Sequence, residues 1–95
     1  MVNKNMDIEE LYTVIEKRIK NKNKTSYTNK LLKLGPKIIA QKVGEETTEL
    51  IVDYLKGSKK RTIEEAADVI YHLLVLLKSK KITLKEINKE LSKRH

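Results

Sequence analysis

Apolar residues recur at helical spacing from one end of this sequence to the other, and no stretch alternates polar and apolar side chains as a half-buried strand would. The predicted helices lie at about 8–21, 26–34, 36–56 and 62–79, with a last one beginning at 83. Connections between them are short, and no linker or repeat divides the chain. The pattern predicts one all-α domain over residues 1–95, a bundle of four main helices and one short helix packed largely antiparallel.

Local signals mark where these helices begin and end. Three pairs have the spacing of N-terminal capping boxes: Asp7 with Glu10, Thr62 with Glu65, and Thr83 with Glu86. Ser26 can cap the short helix, Gly35 can close it, and Pro36 stands where a first helical residue is best tolerated. Residues 21–26 are predicted to form a loop, and Gly57 is predicted to end the long helix.

Composition excludes several classes of protein. The 95 residues include no cysteine, which removes disulfides, thiolate nucleophiles and sulfur-bound metals, so any metal must be held by oxygen or histidine. The longest aliphatic run, residues 73–77, is far shorter than the about 20 residues that span a bilayer. We therefore expect a cytoplasmic protein with no membrane partner.

Charge is distributed unevenly along the chain. The formal net charge is +8, which is typical of proteins that bind nucleic acid or another polyanion. Residues 41–72 nevertheless carry five basic and seven acidic side chains, a net of −2, and the rest of the chain carries sixteen basic and six acidic ones, a net of +10. An acidic centre within a basic protein is expected if carboxylates hold a cation while lysines attract phosphates; solvated helix faces are the plainer alternative.

Two neighbouring helices carry the acidic side chains as stripes. At about 100° per residue, one group falls together on the helix at 36–56, beside the apolar face that includes Ile51 and Tyr54: Lys42, Glu46, Glu49 and Asp53. Glu45 borders the same stripe beside Glu49. The next helix groups four residues in the same way: Arg61, Glu65, Asp68 and His72. Because a short turn makes the two helices antiparallel neighbours, we expect the two stripes to face one space.

Converging carboxylates repel one another and resist ionisation unless a cation neutralises them. Mg²⁺ fits best, because it prefers oxygen ligands and leaves positions for water and substrate phosphates. A di-iron site would need a Glu-x-x-His motif, but the residue three before His72 is Val69. His72 could equally be a satisfied core histidine, and Lys42 an ion-pair partner.

Several blocks of the sequence resemble the phosphoribosyl-ATP pyrophosphohydrolase family. These are SYTNKLL at 26–32, KVGEETTELI at 42–51, EAADVIYHLLVLL at 65–77, and the closing Arg94-His95. The family belongs to the all-α, MazG-like pyrophosphohydrolases, whose metal motif is EExxE followed by ExxD. The resemblance implies a Mg²⁺ site at five residues: Glu45, Glu46, Glu49, Glu65 and Asp68. Thr47 and the lysine-rich connector at 58–61 depart from the family pattern without touching these positions.

The resemblance implies hydrolysis of phosphoribosyl-ATP to phosphoribosyl-AMP and pyrophosphate, the second step of histidine biosynthesis. Glu45 or Glu46 is the candidate general base. Candidate substrate-binding residues are Tyr27, Lys30, Lys42, His72 and Arg94. The family also suggests a homodimer, and we expect its surface to include 73–77 and the apolar residues of the last helix.

Three other readings account for part of the sequence. A related MazG-like hydrolase that removes unwanted nucleotides would share the metal motif but not the SYT and YHLLVLL blocks. A basic helical nucleic-acid-binding protein would explain the net charge but not the acidic cluster, and without Phe or Trp it has little stacking surface. A purely structural bundle would leave the clustered carboxylates without a reason.

Overall fold

The described residues of the computed structural model, 6–22 and 26–95, form five α-helices and no strand. The helices are α1 (Ile8–Lys20), α2 (Tyr27–Leu34), α3 (Pro36–Lys56), α4 (Lys59–Ser79) and α5 (Leu84–Arg94). The predicted all-α fold of four main helices and one short helix is therefore confirmed. Part of the loop predicted at 21–26, residues 23–25, lies outside the described residues.

Most predicted helix ends are confirmed by their hydrogen bonds. The side chains of Asp7 and Ser26 accept the expected backbone bonds at the starts of α1 and α2. Thr83 and Glu86 form a complete capping box at the start of α5. Gly35 has a φ of 98°, a backbone conformation that favours glycine, and this turn leads directly into Pro36 at the start of α3.

The predicted start of α4 was wrong by three residues. Ser58, and not Thr62, caps the helix by accepting a hydrogen bond from the Arg61 backbone, so the lysine-rich connector is the first turn of α4. Both residues are good caps, and the choice follows from the tight turn after α3. Thr62 instead lies inside the helix, where its hydroxyl donates to the carbonyls of Asp53 and Ser58.

Helices α3 and α4 form an antiparallel hairpin, and α1 and α2 pack on one end of it. The buried core lies where the start of α3 and the end of α4 meet the two shorter helices, and it contains Tyr12, Ile15, Leu31, Ile39, Leu74 and Val75. At the other end, a Cβ on Gly57 would come within 3.0 Å of Asp53 atoms, so the close turn between α3 and α4 requires glycine. The core thus holds two long helices side by side and leaves their far ends without a third layer.

These far ends expose the largest group of apolar side chains among the described residues. The group, which we call the hairpin-end patch, consists of Ile51, Val52, Tyr54, Leu55 and Ile63, each more than half exposed. The sequence placed Ile51 and Tyr54 on a core face, but α1 and α2 do not reach that far along α3. Conversely, most of residues 73–77, expected to supply a dimer surface, is used within the bundle, where Leu74 and Val75 are buried. No described helix has the length and apolar character needed to cross a membrane.

Candidate active site

Three carboxylates from α3 and α4 converge as the sequence predicts. One oxygen each of Glu46, Glu49 and Glu65 lies within 4.8 Å of the other two. Glu46 and Glu49 share a face of α3 because they are three residues apart, and the antiparallel hairpin brings Glu65 of α4 opposite them. We call these three residues the carboxylate cluster. Carboxylates at this separation could each give an oxygen to one cation.

Glu65 is the most unusual member of the cluster. Its side chain is buried, with 4% of its surface exposed. One carboxylate oxygen, Oε1, accepts a hydrogen bond from Arg61, but the other, Oε2, is buried without a hydrogen-bond partner. A buried charged oxygen without a partner is costly, and no described residue supplies one for Oε2, so this oxygen is suited to accept a cation or an external donor.

Arg61 lies at the edge of the cluster and spans both helices. Its guanidinium contacts Glu64 and Glu65 on α4 at 2.9 and 2.6 Å, and Asp53 on α3 at 3.7 Å. The hydrogen bond to Glu64, followed by the charges of Asp53 and Glu65, raises the pKa of Arg61 above its usual value. The sequence placed Arg61 on the acidic stripe without assigning it a role, although its spacing of four residues from Glu65 is the usual signal for a helical ion pair.

Electrostatic crowding is evident at Glu46. Burial, and then the neighbouring charges of Glu49 and Asp68, raise the pKa of its carboxyl above the usual value of 4.5, and the charge of His72 opposes this shift. Asp68 is exposed and is not one of the three converging carboxylates, although its charge contributes to the raised pKa of Glu46. Such crowding is expected where carboxylates share a site for a cation.

Glu45 points to the outer side of α3. Gln41 donates a hydrogen bond to it at 3.0 Å, and Lys42 lies 3.5 Å away as an ion-pair partner. The bond from Gln41 is the main cause of a lowered pKa at Glu45. An open groove of about 640 Å³ runs past this residue and past Glu49, a cluster member, and is also lined by Gln41, Gly44 and Thr48.

Tyr27 and His72 form a second group next to the carboxylates. The Nδ1 atom of His72 lies 2.7 Å from the backbone carbonyl of Asp68, and its Nε2 atom lies 3.1 Å from the Tyr27 hydroxyl. Because a carbonyl only accepts hydrogen bonds, Nδ1 carries a proton, and Nε2 accepts from the Tyr27 hydroxyl when the ring is neutral. The sequence did not single out Tyr71, whose ring stacks on Tyr27 and whose hydroxyl bonds to buried Thr28.

The remaining predicted substrate-binding residues lie apart from one another. Lys30 lines a cavity of about 540 Å³ with Lys22, Asn29 and Lys33 at the outer side of α2. Lys42 is engaged with Glu45 on α3. Arg94 bonds to Glu90 within α5 at 3.0 Å. Among these three residues, only Lys30 lies in a group of basic side chains, with Lys22 and Lys33.

An all-α bundle that gathers carboxylates between two antiparallel helices is consistent with the MazG-like class of helical bundles. A family model for phosphoribosyl-ATP pyrophosphohydrolase matches residues 8–95. The chain is 46% identical to the phosphoribosyl-ATP pyrophosphatase of Sulfolobus acidocaldarius over 87 residues, 92% of each chain. It is 49% identical over 94 residues to the protein of that name from Clostridium acetobutylicum, covering 99% of this chain and 86% of the relative.

A third relative, the phosphoribosyl-ATP pyrophosphatase of Clostridium novyi, is 50% identical over 87 residues, covering 92% of this chain and 79% of the relative. The chain belongs to the phosphoribosyl-ATP pyrophosphohydrolase family and is a hydrolase. The family and the enzyme class predicted from the sequence are thereby confirmed.

Proposed function

We propose that this chain hydrolyses phosphoribosyl-ATP to phosphoribosyl-AMP and pyrophosphate, the second step of histidine biosynthesis, with Mg²⁺ held between α3 and α4. The substrate follows from the names of the matching family and relatives. The observation that carries the metal site is the buried Glu65 Oε2, which has no partner and stands in a group with Glu46 and Glu49.

The donor set fits a hard divalent cation. The described side chains of the cluster offer only carboxylate oxygens, and the chain has no cysteine to favour a softer metal. Glu46, Glu49 and Glu65 would hold the ion, with Asp68 beside them and Glu45 as the remaining carboxylate of the predicted set. When bound, Mg²⁺ would offset negative charge on the phosphate oxygens and on the leaving pyrophosphate.

A carboxylate that is not fully engaged with the metal takes a proton from the attacking water. Glu46 and Glu45 remain the two candidates, and their surroundings differ. Glu46 belongs to the cluster, and its raised pKa reflects crowding by like charges. Glu45 faces the open groove, where a water could reach it, but it is already bonded to Gln41 and Lys42.

Four of the five predicted substrate-binding residues are proposed to contact substrate, and the fifth to position one of them. Lys30, Lys42 and Arg94 supply positive charges for the phosphates, because long basic side chains pair strongly with phosphate oxygens. Tyr27 is nearly half exposed and can offer its hydroxyl and ring to substrate. His72 has both ring nitrogens engaged within the protein, so its proposed part is to hold Tyr27 in place next to Asp68.

We also propose a homodimer formed through the hairpin-end patch. An exposed apolar group of this kind, on two helices that lack a third layer, is typical of an association surface. A second copy of the chain is the proposed occupant, because a symmetric pair would cover the same patch on both partners. The predicted cytoplasmic location and the absence of a specific nucleic-acid partner stay predictions.

The experiment that tests the function is incubation of the protein with phosphoribosyl-ATP and Mg²⁺, followed by measurement of pyrophosphate and phosphoribosyl-AMP. ATP and a panel of non-standard nucleoside triphosphates serve as competing substrates. Preferential turnover of phosphoribosyl-ATP supports the proposal. Equal or greater turnover of the other nucleotides would favour a nucleotide-cleansing MazG-like enzyme instead.

A further inference from the structure

The contacts of Arg61 are unusual for a residue at a cation site. A fixed guanidinium repels a divalent cation, so simple electrostatics predicts that Arg61 weakens metal binding. Yet its Nη2 atom donates to Glu65 Oε1 at 2.6 Å, the shortest of its contacts, directly at the cluster. Ion pairing with the neighbouring carboxylates explains why a positive charge is tolerated here, and the geometry of the contacts indicates a further role.

The hydrogen bond to Arg61 gives the two carboxylate oxygens of Glu65 different surroundings. Oε1 accepts a hydrogen bond from the guanidinium, while the buried Oε2 has no hydrogen-bond partner among residues 6–22 and 26–95. A carboxylate held through one oxygen cannot rotate freely, so the other oxygen keeps its direction without an entropic cost when a ligand arrives.

The planar guanidinium is itself held at two further points. Nη1 donates to Glu64 at 2.9 Å, and Nη2 lies 3.7 Å from Asp53 on the neighbouring helix. The two nitrogens thus contact different carboxylates, an arrangement that the point charge of a lysine cannot reproduce. This anchoring fixes Arg61 although about half of its side chain is exposed, at 53%.

We infer that Arg61 is a positioning residue of the metal site, which holds Glu65 by Oε1 and so presents Oε2 to the cation. The inference rests on the proposed function, because it takes the carboxylate cluster to be the metal site. It assigns Arg61 no contact with the metal or with the reacting phosphate. Its effect is exerted through Glu65.

The test is calorimetric titration of the full chain with Mg²⁺ in the absence of nucleotide, comparing wild type with Arg61→Ala and Arg61→Lys. Both variants are expected to weaken Mg²⁺ binding by about 10- to 100-fold, the usual cost of removing a partner that orients a metal ligand. Lysine keeps the positive charge but lacks the planar guanidinium with its two terminal nitrogens. The Arg61→Lys variant therefore separates the effect of contact geometry on Mg²⁺ binding from the effect of charge. Lys60→Ala, one residue earlier in α4, is the matched control for loss of a positive charge and is not expected to weaken binding.

The outcomes are distinguishable. Wild-type or tighter Mg²⁺ binding by either Arg61 variant would overturn the inference while leaving the metal site intact, because tighter binding by Arg61→Ala is the electrostatic expectation. Failure of the wild-type chain to bind Mg²⁺ would instead overturn the proposed metal site. Far-ultraviolet circular dichroism of each variant checks helicity, and Arg61→Lys provides the comparison should Arg61→Ala lose structure.

Discussion

Among single residues, Glu49 offers a direct test of the carboxylate cluster. Glu49→Ala removes one of the three converging oxygens, but Glu49 is exposed, so the helix should tolerate the change. We expect phosphoribosyl-ATP turnover to fall by more than the about 10- to 100-fold typical of losing an outer-shell partner, with helicity retained. Steady-state kinetics and circular dichroism measure both quantities.

Glu9→Ala is the matched control, because it removes an exposed glutamate of α1 that is distant in sequence from Glu49, and it should leave turnover unchanged. If Glu49→Ala unfolds the protein, or if it turns over substrate at the wild-type rate, the cluster has a structural role instead.

The hydrogen bond between Tyr27 and His72 gives a second prediction for a single residue. Tyr27→Phe leaves Nε2 of the buried His72 without its donor, so the free energy of unfolding should fall by about 1 kcal/mol. Lys89→Gln, at an exposed residue of α5, should change it by less than about 0.5 kcal/mol. Urea denaturation of the two variants checks the difference, and equal effects would mean that the Tyr27 bond contributes nothing.

The residues of the cluster could be predicted from sequence because helical spacing alone places Glu46 and Glu49 on one face of α3. The sequence could not predict that the Glu45 side chain lies apart from Glu46 and Glu49, because its position depends on the side-chain partners Gln41 and Lys42. The same limit applies to Arg61 and Glu65. Spacing predicts that they can meet, but the buried, unpartnered Oε2 depends on the packing of two helices.

At the scale of helices, the capping box of α5 leads to a local prediction. Thr83→Ala removes the side chain that accepts from Glu86, which should destabilise the start of α5 by about 1 kcal/mol. Because no residue of α5 is buried, the loss should appear as faster amide hydrogen exchange in α5, with little change in α4. Thr48→Ala within α3 is the control, and should not speed exchange in α5.

The same capping box should respond to acid. Hydrogen bonds from the backbone and side chain of Thr83 lower the pKa of Glu86 below its usual value of 4.5. A carboxyl whose folded-state pKa is lowered stabilises the folded form above its unfolded-state pKa and loses this effect as the pH falls through the folded-state value. Exchange in α5 should therefore accelerate below about pH 4.5 in wild type relative to Glu86→Gln, which has no titrating group. An identical acid response in both proteins would contradict this.

Helix boundaries were predictable where a single strong cap stood before an apolar run, as at Asp7, Ser26 and Thr83. The start of α4 was not predictable in this way, because Ser58 and Thr62 are both suitable caps and lie four residues apart. The choice is made by Gly57, whose close contact with Asp53 allows the chain to turn at once and begin the helix at Lys59. Gly57 and Asp53 lie four residues apart at the end of α3, so this contact depends on the local backbone conformation, which the cap spacing does not predict.

At the scale of the whole molecule, the hairpin-end patch predicts the state of assembly. Wild type should scatter light as a particle of twice the mass of one chain at micromolar concentration. Leu55→Glu places a charge in the patch, where Leu55 is 69% exposed, and should yield monomers because burying an unpaired charge is costly. Leu34→Glu, at a similarly exposed leucine of α2, should remain dimeric.

A monomeric wild type would contradict the dimer, and a dimeric Leu55→Glu would place its surface elsewhere.

The overall architecture was predictable because apolar periodicity and caps alone define five helices. The sequence did not predict which apolar face is left uncovered, because that depends on how far α1 and α2 extend along the hairpin.

The proposed hydrolysis depends on a cation held by Glu46, Glu49 and Glu65. The most direct measurement is therefore pyrophosphate release from phosphoribosyl-ATP as the metal is removed and returned. Excess EDTA should abolish release, because the proposed reaction needs a cation to offset charge on the phosphates and the leaving pyrophosphate, and added Mg²⁺ should restore it. Full release of pyrophosphate in excess EDTA would contradict the account.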